Sequence, residues 1–323
     1  MQITNDFGLS LSVAAWLVDD SYDHNHDPNT FSTTELLKST RQIVLSKRIK
    51  SKDTVMDVSS LIASTIGNAI HDGINSTWMQ HYVQALHKLG HSAKIIDKIR
   101  INPKPEEVVP GIIPIYAEQR THKILGKYTV SGKYDFIGNG KLEDFKSTTT
   151  FTYVKKSNDL KFQLQGSIYR WLNPEIITDP EMLIQYIFLD WSKNKVTKDY
   201  PPSRILAYPI QLLPIKETEI WLANKLIAIE ENMNIKEPKL PECTAEELWR
   251  SASVFAYYKN PQKTTRSSGN FNTYHEAHAK LVADGSVGTI IERTGQVRAC
   301  AYCNGYDLCT QKDAYLADGS LVL

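Results

Sequence analysis

Asp135, Asp144 and Lys146 fall within one short stretch, GKYDFIGNGKLEDFKS, residues 132–147. Two runs in it, KYDFI and KLEDFKS, alternate aromatic and polar residues and meet at Asn139–Gly140. Asn-Gly supplies the two left-handed positions of a type I′ hairpin turn, so the stretch reads as two antiparallel strands. Counting outward from the turn sets Gly138 against Lys141 and Asp135 against Asp144, with Lys146 on the same face. Cross-strand partners stand about 5 Å apart at Cβ, and like charges so placed weaken a sheet. Two readings are open. The acids can be exposed edge residues ion-paired to Lys133 and Lys146, contributing little either way. Alternatively a divalent cation sits between them, and carboxylate and carbonyl oxygens suit Mg2+ or Mn2+. Tyr134, Phe136 and Phe145 point to the other face, which can be buried; Glu143 alternates to that face and is not counted with the acids.

Several elements could position such a cluster. A long helical pattern runs from about residue 57 to 86, and in it Gly67 and His71 are four apart and share a face. A glycine there would let the helix approach the sheet and bring the imidazole over the acids. Gln165 and Tyr169 likewise share one face of the helical run NDLKFQLQGSIYRWL. GIIPIYAEQ and ILGKYTVSG read as strands, and MLIQYIFLDWSK as a strand buried in a sheet centre. FSTTELLKSTRQIVLSKR opens a helix with Ser32 or Thr33 as its cap and Glu35 in the first turn. The order helix, strands, helix, strand predicts an α/β fold, a mixed central sheet flanked by helices.

ETEIWLANKLIAIEENM forms a further helix, and KEPKLPECT marks a boundary near 236. Two domains are expected, residues 1–235 and 236–323. The second holds a strand, helix and strand in SVFAYYKN, NTYHEAHAKLVAD and GTIIERTG, a small α+β module. All four cysteines lie in it: Cys243, then Cys300, Cys303 and Cys309 spaced C-x2-C-x5-C. A reducing compartment has little use for structural disulfides. A redox C-x-x-C pair leaves two thiols unexplained. Four cysteines confined to one segment are what a tetrathiolate site needs, with zinc and iron both open.

Taken in order, G-x-x-x-H at Gly67–His71, Asp135, D-x-K at Asp144–Lys146 and Q-x-x-x-Y at Gln165–Tyr169 resemble the RecB-like branch of the PD-(D/E)xK nuclease superfamily, over roughly residues 57–200. The resemblance implies a restriction-endonuclease-like core. It also implies side-chain metal ligation by His71, Asp135 and Asp144, with the Phe145 carbonyl as a further ligand. Lys146 would orient or activate the attacking water, and Gln165 and Tyr169 would contact DNA or support the site. Glu118 matches a less dependable acidic position of that family. LPECTAEELW followed by the ACAYCNGYDLCTQ tail looks like the family's phage-encoded exonucleases. The C-x2-C-x5-C tail also resembles the cluster-binding tail of iron–sulfur members of this branch, among them the helicase–nuclease subunit of bacterial recombination complexes and the nuclease of CRISPR spacer acquisition. In those relatives the first cysteine precedes the nuclease motifs. Here it follows them at Cys243, and STTELLKSTRQ has none. The implied cofactor is a 4Fe-4S cluster, with Zn2+ as the alternative.

The implied function is a Mg2+- or Mn2+-dependent deoxyribonuclease, an exonuclease of recombination, repair or phage DNA processing. The alternatives are a structure-specific endonuclease and a non-catalytic DNA-binding scaffold. DNA, at an end or as a single strand, is the expected partner, with a helicase, single-strand-binding or recombination protein beside it; no Walker motif is present. A net charge of +1 excludes a broad basic field, so contacts must be local. Lys47, Arg48, Lys50 and Lys52, and Lys155 and Lys156, are the candidates. His24, His26 and Asp27 belong to a polar loop rather than a metal site. No run approaches the roughly 20 apolar residues of a membrane span, and no signal peptide is evident, so a cytoplasmic protein is expected.

Overall fold

The structure is a computed structural model that describes residues 2–19, 27–49 and 55–321. The chain divides into two compact units, 1–37 with 50–226, and 38–49 with 227–323. The expected boundary near 236 therefore falls at 226/227, and residues 38–49 group with the cysteine-bearing part rather than with the first 235.

The first unit is built on a six-stranded sheet. Its strands are β1 (Ile99–Ile101), β2 (Ile113–Ala117), β3 (Phe136–Gly138), β4 (Lys141–Thr148), β5 (Glu181–Phe188) and β6 (Ile205–Gln211). They lie side by side in chain order. β1/β2 and β4/β5 run parallel, and the remaining pairs antiparallel. The sheet is mixed, as the element order implies. At the β3–β4 turn, Asn139 and Gly140 take φ of 49° and 90°, and Gly138 pairs with Lys141.

KYDFI, however, is not one strand. Residues Tyr128–Lys133 belong to a second sheet, of three strands, with Thr30–Ser32 and Arg120–Leu125. One long hairpin is thus shared between two sheets. Ala117 faces Phe136 in one, Arg120 faces Lys133 in the other, and the register runs unbroken between them. Across the junction Glu118 N–H donates to Asp135 O (2.9 Å) and Tyr134 N–H to Gln119 O (3.3 Å). Glu118 takes φ +52°, a left-handed position that a non-glycine residue rarely occupies. The hairpin changes sheets at Glu118 and Asp135.

Two helices hold the sheet. α1 (Ile62–Ser76) passes over β4 and continues through a π-turn, Thr77–His81, into Tyr82–Lys88. Trp78 in that turn packs on Phe136, with ring centroids 5.0 Å apart. A Cβ on Gly67 would sit 3.5 Å from Ser147 Oγ, an ordinary contact, so this glycine is not demanded by close approach. The glycine that is demanded lies on α2 (Asp159–Leu172): a Cβ on Gly166 would fall 2.2 Å from Met182 Sδ on β5. β5 alternates fully buried Met182, Ile184, Tyr186 and Phe188 with half-buried residues, one face under α2.

The second unit contains the antiparallel strands Gly269–Phe271, Val254–Tyr258 and Thr289–Arg293, with the helix Tyr274–Ala283, opened by a Thr273/Glu276 capping box. Short turns, Ala299–Tyr302 and Tyr306–Leu308, and the helix Gln311–Ala317 follow. FSTTELLKSTRQIVLSKR splits where a second cap occurs. Ser32 Oγ accepts from Glu35 N–H and opens a single turn, whereas Ser39 Oγ accepts from Gln42 N–H (3.0 Å) and opens the helix Thr40–Arg48.

Gly140 combines φ +90° with a Cβ position 2.3 Å from Thr178 Oγ1. Gly140→Ala is expected to destabilise the first unit by at least about 1 kcal/mol, read as a lowered urea midpoint. Asn139→Gly, which keeps the turn, is expected to change it far less.

Candidate metal centres

Register alone concentrates negative charge at the junction of the two sheets. The β2–β3 pairing continues to set Glu118 against Asp135, and the β3–β4 pairing to set Asp135 against Asp144. Three carboxylates therefore stand in one row across three adjacent strands. Asp144 is buried, and Asp135 and Glu118 are largely so.

Basic groups from neighbouring elements meet the row. His71, from α1, points Nδ1 at Glu118 Oε1 (3.4 Å) and Asp135 Oδ1 (3.5 Å), and its Nε2 faces Phe145 O at 3.1 Å. Lys133 Nζ pairs with Glu118 Oε2 at 2.6 Å, and Lys146 Nζ pairs with Asp144 Oδ2. Phe145 N–H donates to Asp135 Oδ2 (2.8 Å). From α2, Gln165 Nε2 donates to Asp144 Oδ1 (2.9 Å) and to the Tyr169 hydroxyl (3.2 Å). Exposed edge pairing is thus replaced by a part-buried network, and Lys133 pairs with Glu118.

The charges distort one another's titration. Burial, then the adjacent Asp144, push Asp135 up to about 7, against the pull of Lys146, His71 and the Phe145 amide. Burial alone would lower His71, but Glu118 and Asp135 outweigh it and raise the imidazole. Burial would raise Glu118, yet His71 and Lys133 hold it below the ordinary range. Burial would lower Lys146, but Asp144 and then Asp135 raise it, which keeps it an ammonium.

Among the described residues, ligand atoms of His71, Glu118 and Asp135 converge within 4.8 Å of one another. His71, Asp135, Asp144, Phe145 and Lys146 are all brought together, and Glu118, the less dependable position in the sequence, is central. Asp144 faces Lys146 and Gln165 instead of the converging trio. Tyr169 is buried behind Gln165, its ring against Gly132, so it positions Gln165 and has no face for a nucleobase. Glu143 accepts from Gln185 Nε2 (2.7 Å), away from the site. An open cavity of about 300 Å3 adjoins the network, lined by Lys146, Gln165, Asn158 and Lys161 among others. Lys155 and Lys156 are exposed at the end of the preceding helix. Arg48 caps a helix, donating to the carbonyls of Asn232, Met233 and Ile235 (3.3, 3.0 and 2.6 Å), so it is not a free cation for DNA. His24, His26, Lys50 and Lys52 lie outside the described residues.

In the second unit Cys243, Cys300, Cys303 and Cys309 line one small cavity with Arg41, Gln42 and Gln311. None is in a disulfide. Cys243 is fixed by Gln311, which accepts from its N–H (2.9 Å) and donates to its carbonyl (3.1 Å). Burial and the other thiols push Cys300 up to about 11, and burial raises Cys243 and Cys303. The helix that carries no cysteine reaches the cavity all the same. Ser39 Oγ lies 3.2 Å from Cys243 Sγ, and buried Arg41 donates from Nε to Cys309 Sγ (3.2 Å) while pairing with Glu237. Nothing in the sequence signals Arg41, because its partners are 196 to 268 residues distant.

Asp135 and His71 both bind protons more tightly in the folded chain, so what these two groups contribute to stability falls as pH rises. The Asp135 contribution is lost between the ordinary carboxylate value and about 7, and the His71 contribution above the ordinary imidazole range. Thermal melts in EDTA are expected to decline from about pH 5 to 8, with Asp135→Asn flattening the decline and melting at or above wild type at pH 8.

No family model and no curated protein matches this chain. A solved structure described as "Crystal structure of SSO0001" aligns with 70% of this chain and 89% of its own length, at 16% identity and a TM-score of 0.43, a likeness too slight to transfer fold or function.

Proposed function

We propose that the first unit is a metal-dependent DNA nuclease with a restriction-endonuclease-like core, acting as an exonuclease. The observation that carries the reading is the row Glu118, Asp135 and Asp144, with Lys146 two residues beyond Asp144 on β4. Three carboxylates at neighbouring positions repel one another, and His71, Glu118 and Asp135 converge on a point where a divalent cation would offset that repulsion further. The donor set of carboxylates, an imidazole and the Phe145 carbonyl fits Mg2+ or Mn2+. When bound, such an ion supplies Lewis acidity toward a phosphodiester and a water. His71, Asp135, Asp144 and Phe145 O would hold it, with Glu118 as a further carboxylate.

The remaining groups follow from their charges. Lys146 is retained as an ammonium, so its role is to orient a water and offset developing negative charge rather than to accept a proton. Gln165 fixes the Asp144 carboxylate, and Tyr169 fixes Gln165. The cavity beside Lys146 has room for a phosphate group.

The cysteine cavity is read as the site of a metal centre. Burial holds Cys243, Cys300 and Cys303 toward the thiol form, a bound metal would favour their thiolates, and Arg41 supplies counter-charge at Cys309. The four-thiol donor set suits either a 4Fe-4S cluster or Zn2+, and the resemblance of the C-x2-C-x5-C tail to the iron–sulfur members favours the cluster.

End-labelled linear and closed circular DNA, single- and double-stranded, incubated with Mg2+ or Mn2+, should be cleaved only where an end exists, and not in EDTA. Asp144→Ala and Lys146→Ala are each expected to lower the rate by about 100-fold or more, with Mn2+ binding retained in the lysine variant. Full activity in Asp144→Ala would refute the site, and equal cleavage of closed circles would replace the exonuclease reading by an endonuclease one. Anaerobically purified protein should be brown and contain iron, lost in Cys303→Ser; colourless zinc protein would reverse the cofactor assignment.

A further inference from the structure

We propose that Trp249, Tyr302 and Arg298, in the second unit, form a stacking site for unpaired bases of single-stranded nucleic acid. Residues 244–250 make one helical turn closed by two hydrogen bonds. Trp249 N–H donates to Glu246 O (3.0 Å) and Arg250 N–H to Ala245 O (2.9 Å). This is the Schellman helix ending, whose penultimate residue takes a left-handed conformation and is usually glycine. The chain uses the same ending twice more with the usual residue. Gly90 bonds to His87 O with His91 to Leu86 O, and Gly285 bonds to Val282 O with Ser286 to Leu281 O. Those glycines have φ of +86° and +87°, and Trp249 has φ +50°.

A bulky side chain at such a position is strained, and the ordinary offset would be burial of the ring. Trp249 is 51% exposed, so burial does not supply it. Strain that the packing does not explain directs attention to what the residue presents. The Trp249 ring stands 6.0 Å from that of Tyr302, planes 41° apart, and Tyr302 is 74% exposed. Both border an open cavity of about 410 Å3 with Gln296 and Arg298. Leu248 O accepts from Arg298 N–H and Ala299 N–H, each at 3.1 Å, which ties the tryptophan to the loop that carries Tyr302.

Two exposed aromatic faces, held by backbone rather than by packing, suit a flat π-faced group. Among the described residues the Arg298 guanidinium has no ion-pair partner, and it supplies the charge that a phosphodiester beside the base requires. An acyl chain would make no use of that charge. The choice of nucleic acid as occupant rests on the nuclease reading; the existence of the platform does not.

The test uses the full-length protein in EDTA with fluorescein-labelled oligo(dT), read by anisotropy. Trp249→Gly is expected to weaken binding by about 5- to 150-fold while melting at or above wild type, because glycine relieves the left-handed strain. Trp249→Phe is expected to keep most of the affinity but lose the tryptophan quenching that oligo(dT) produces. Wild-type affinity in Trp249→Gly, or a melting point well below wild type in that variant, would overturn the proposal. Cleavage of DNA by a protein that does not bind oligo(dT) would sink the platform and spare the nuclease. Trp249-dependent binding without cleavage in Mg2+ or Mn2+ would do the reverse.

Discussion

Three carboxylates on adjacent strands of one sheet repel one another, and most of the first unit is arranged around that repulsion. Glu118, Asp135 and Asp144 are neighbours by register, so they cannot separate without breaking the β2–β3–β4 pairing. Each instead meets a base from elsewhere: His71 between the first two, Lys133 on Glu118 and Lys146 on Asp144. The left-handed backbone at Glu118 lies where the hairpin leaves one sheet for the other, and the acids sit at that junction. α1 and α2 add His71 and Gln165, and Gly166 permits the second helix to seat on β5. The His71 imidazole joins Glu118, Asp135 and the Phe145 carbonyl. On the proposed reading, a metal held by these groups would displace the His71 proton, so its binding would be pH-dependent.

The second unit meets a related difficulty with different chemistry. Its four thiols are held to one cavity by short turns and by Gln311. Burial holds Cys243, Cys300 and Cys303 in the thiol form, and Arg41 brings a buried positive charge to Cys309. The helix Thr40–Arg48 carries no cysteine, yet its cap Ser39 and its Arg41 contact the sulfurs of Cys243 and Cys309.

How much of this was legible in the sequence differs from residue to residue. Asn139–Gly140 fixed a turn type, and the turn fixed the Asp135–Asp144 register, because both follow from local backbone geometry. Periodicity places His71 and Gln165 on helix faces and His71 over the acids, but it does not show which carboxylate Gln165 meets. Glu118 is the weaker motif match in the sequence, and its place beside Asp135 depends on a hairpin that crosses between sheets, which strand periodicity does not reveal. Of the two roles the resemblance implies for Tyr169, contact with DNA or support of the site, burial of its ring and its hydroxyl's bond to Gln165 fit the second. Arg41 and Arg48 lie in FSTTELLKSTRQIVLSKR, whose pattern shows a helix and not its partners, and both bond to groups roughly 200 residues away.

The central claim is that the carboxylate row is a divalent-cation site. Diffraction from crystals soaked in Mn2+, recorded for its anomalous signal, tests it without reference to any substrate. The account predicts one strong peak about 2.0–2.3 Å from the Asp135 and Asp144 carboxylates and within reach of Phe145 O and His71, with the Lys146 ammonium displaced from Asp144. Crystals that take up Mn2+ elsewhere and leave the row joined by His71 and Lys146 would contradict it.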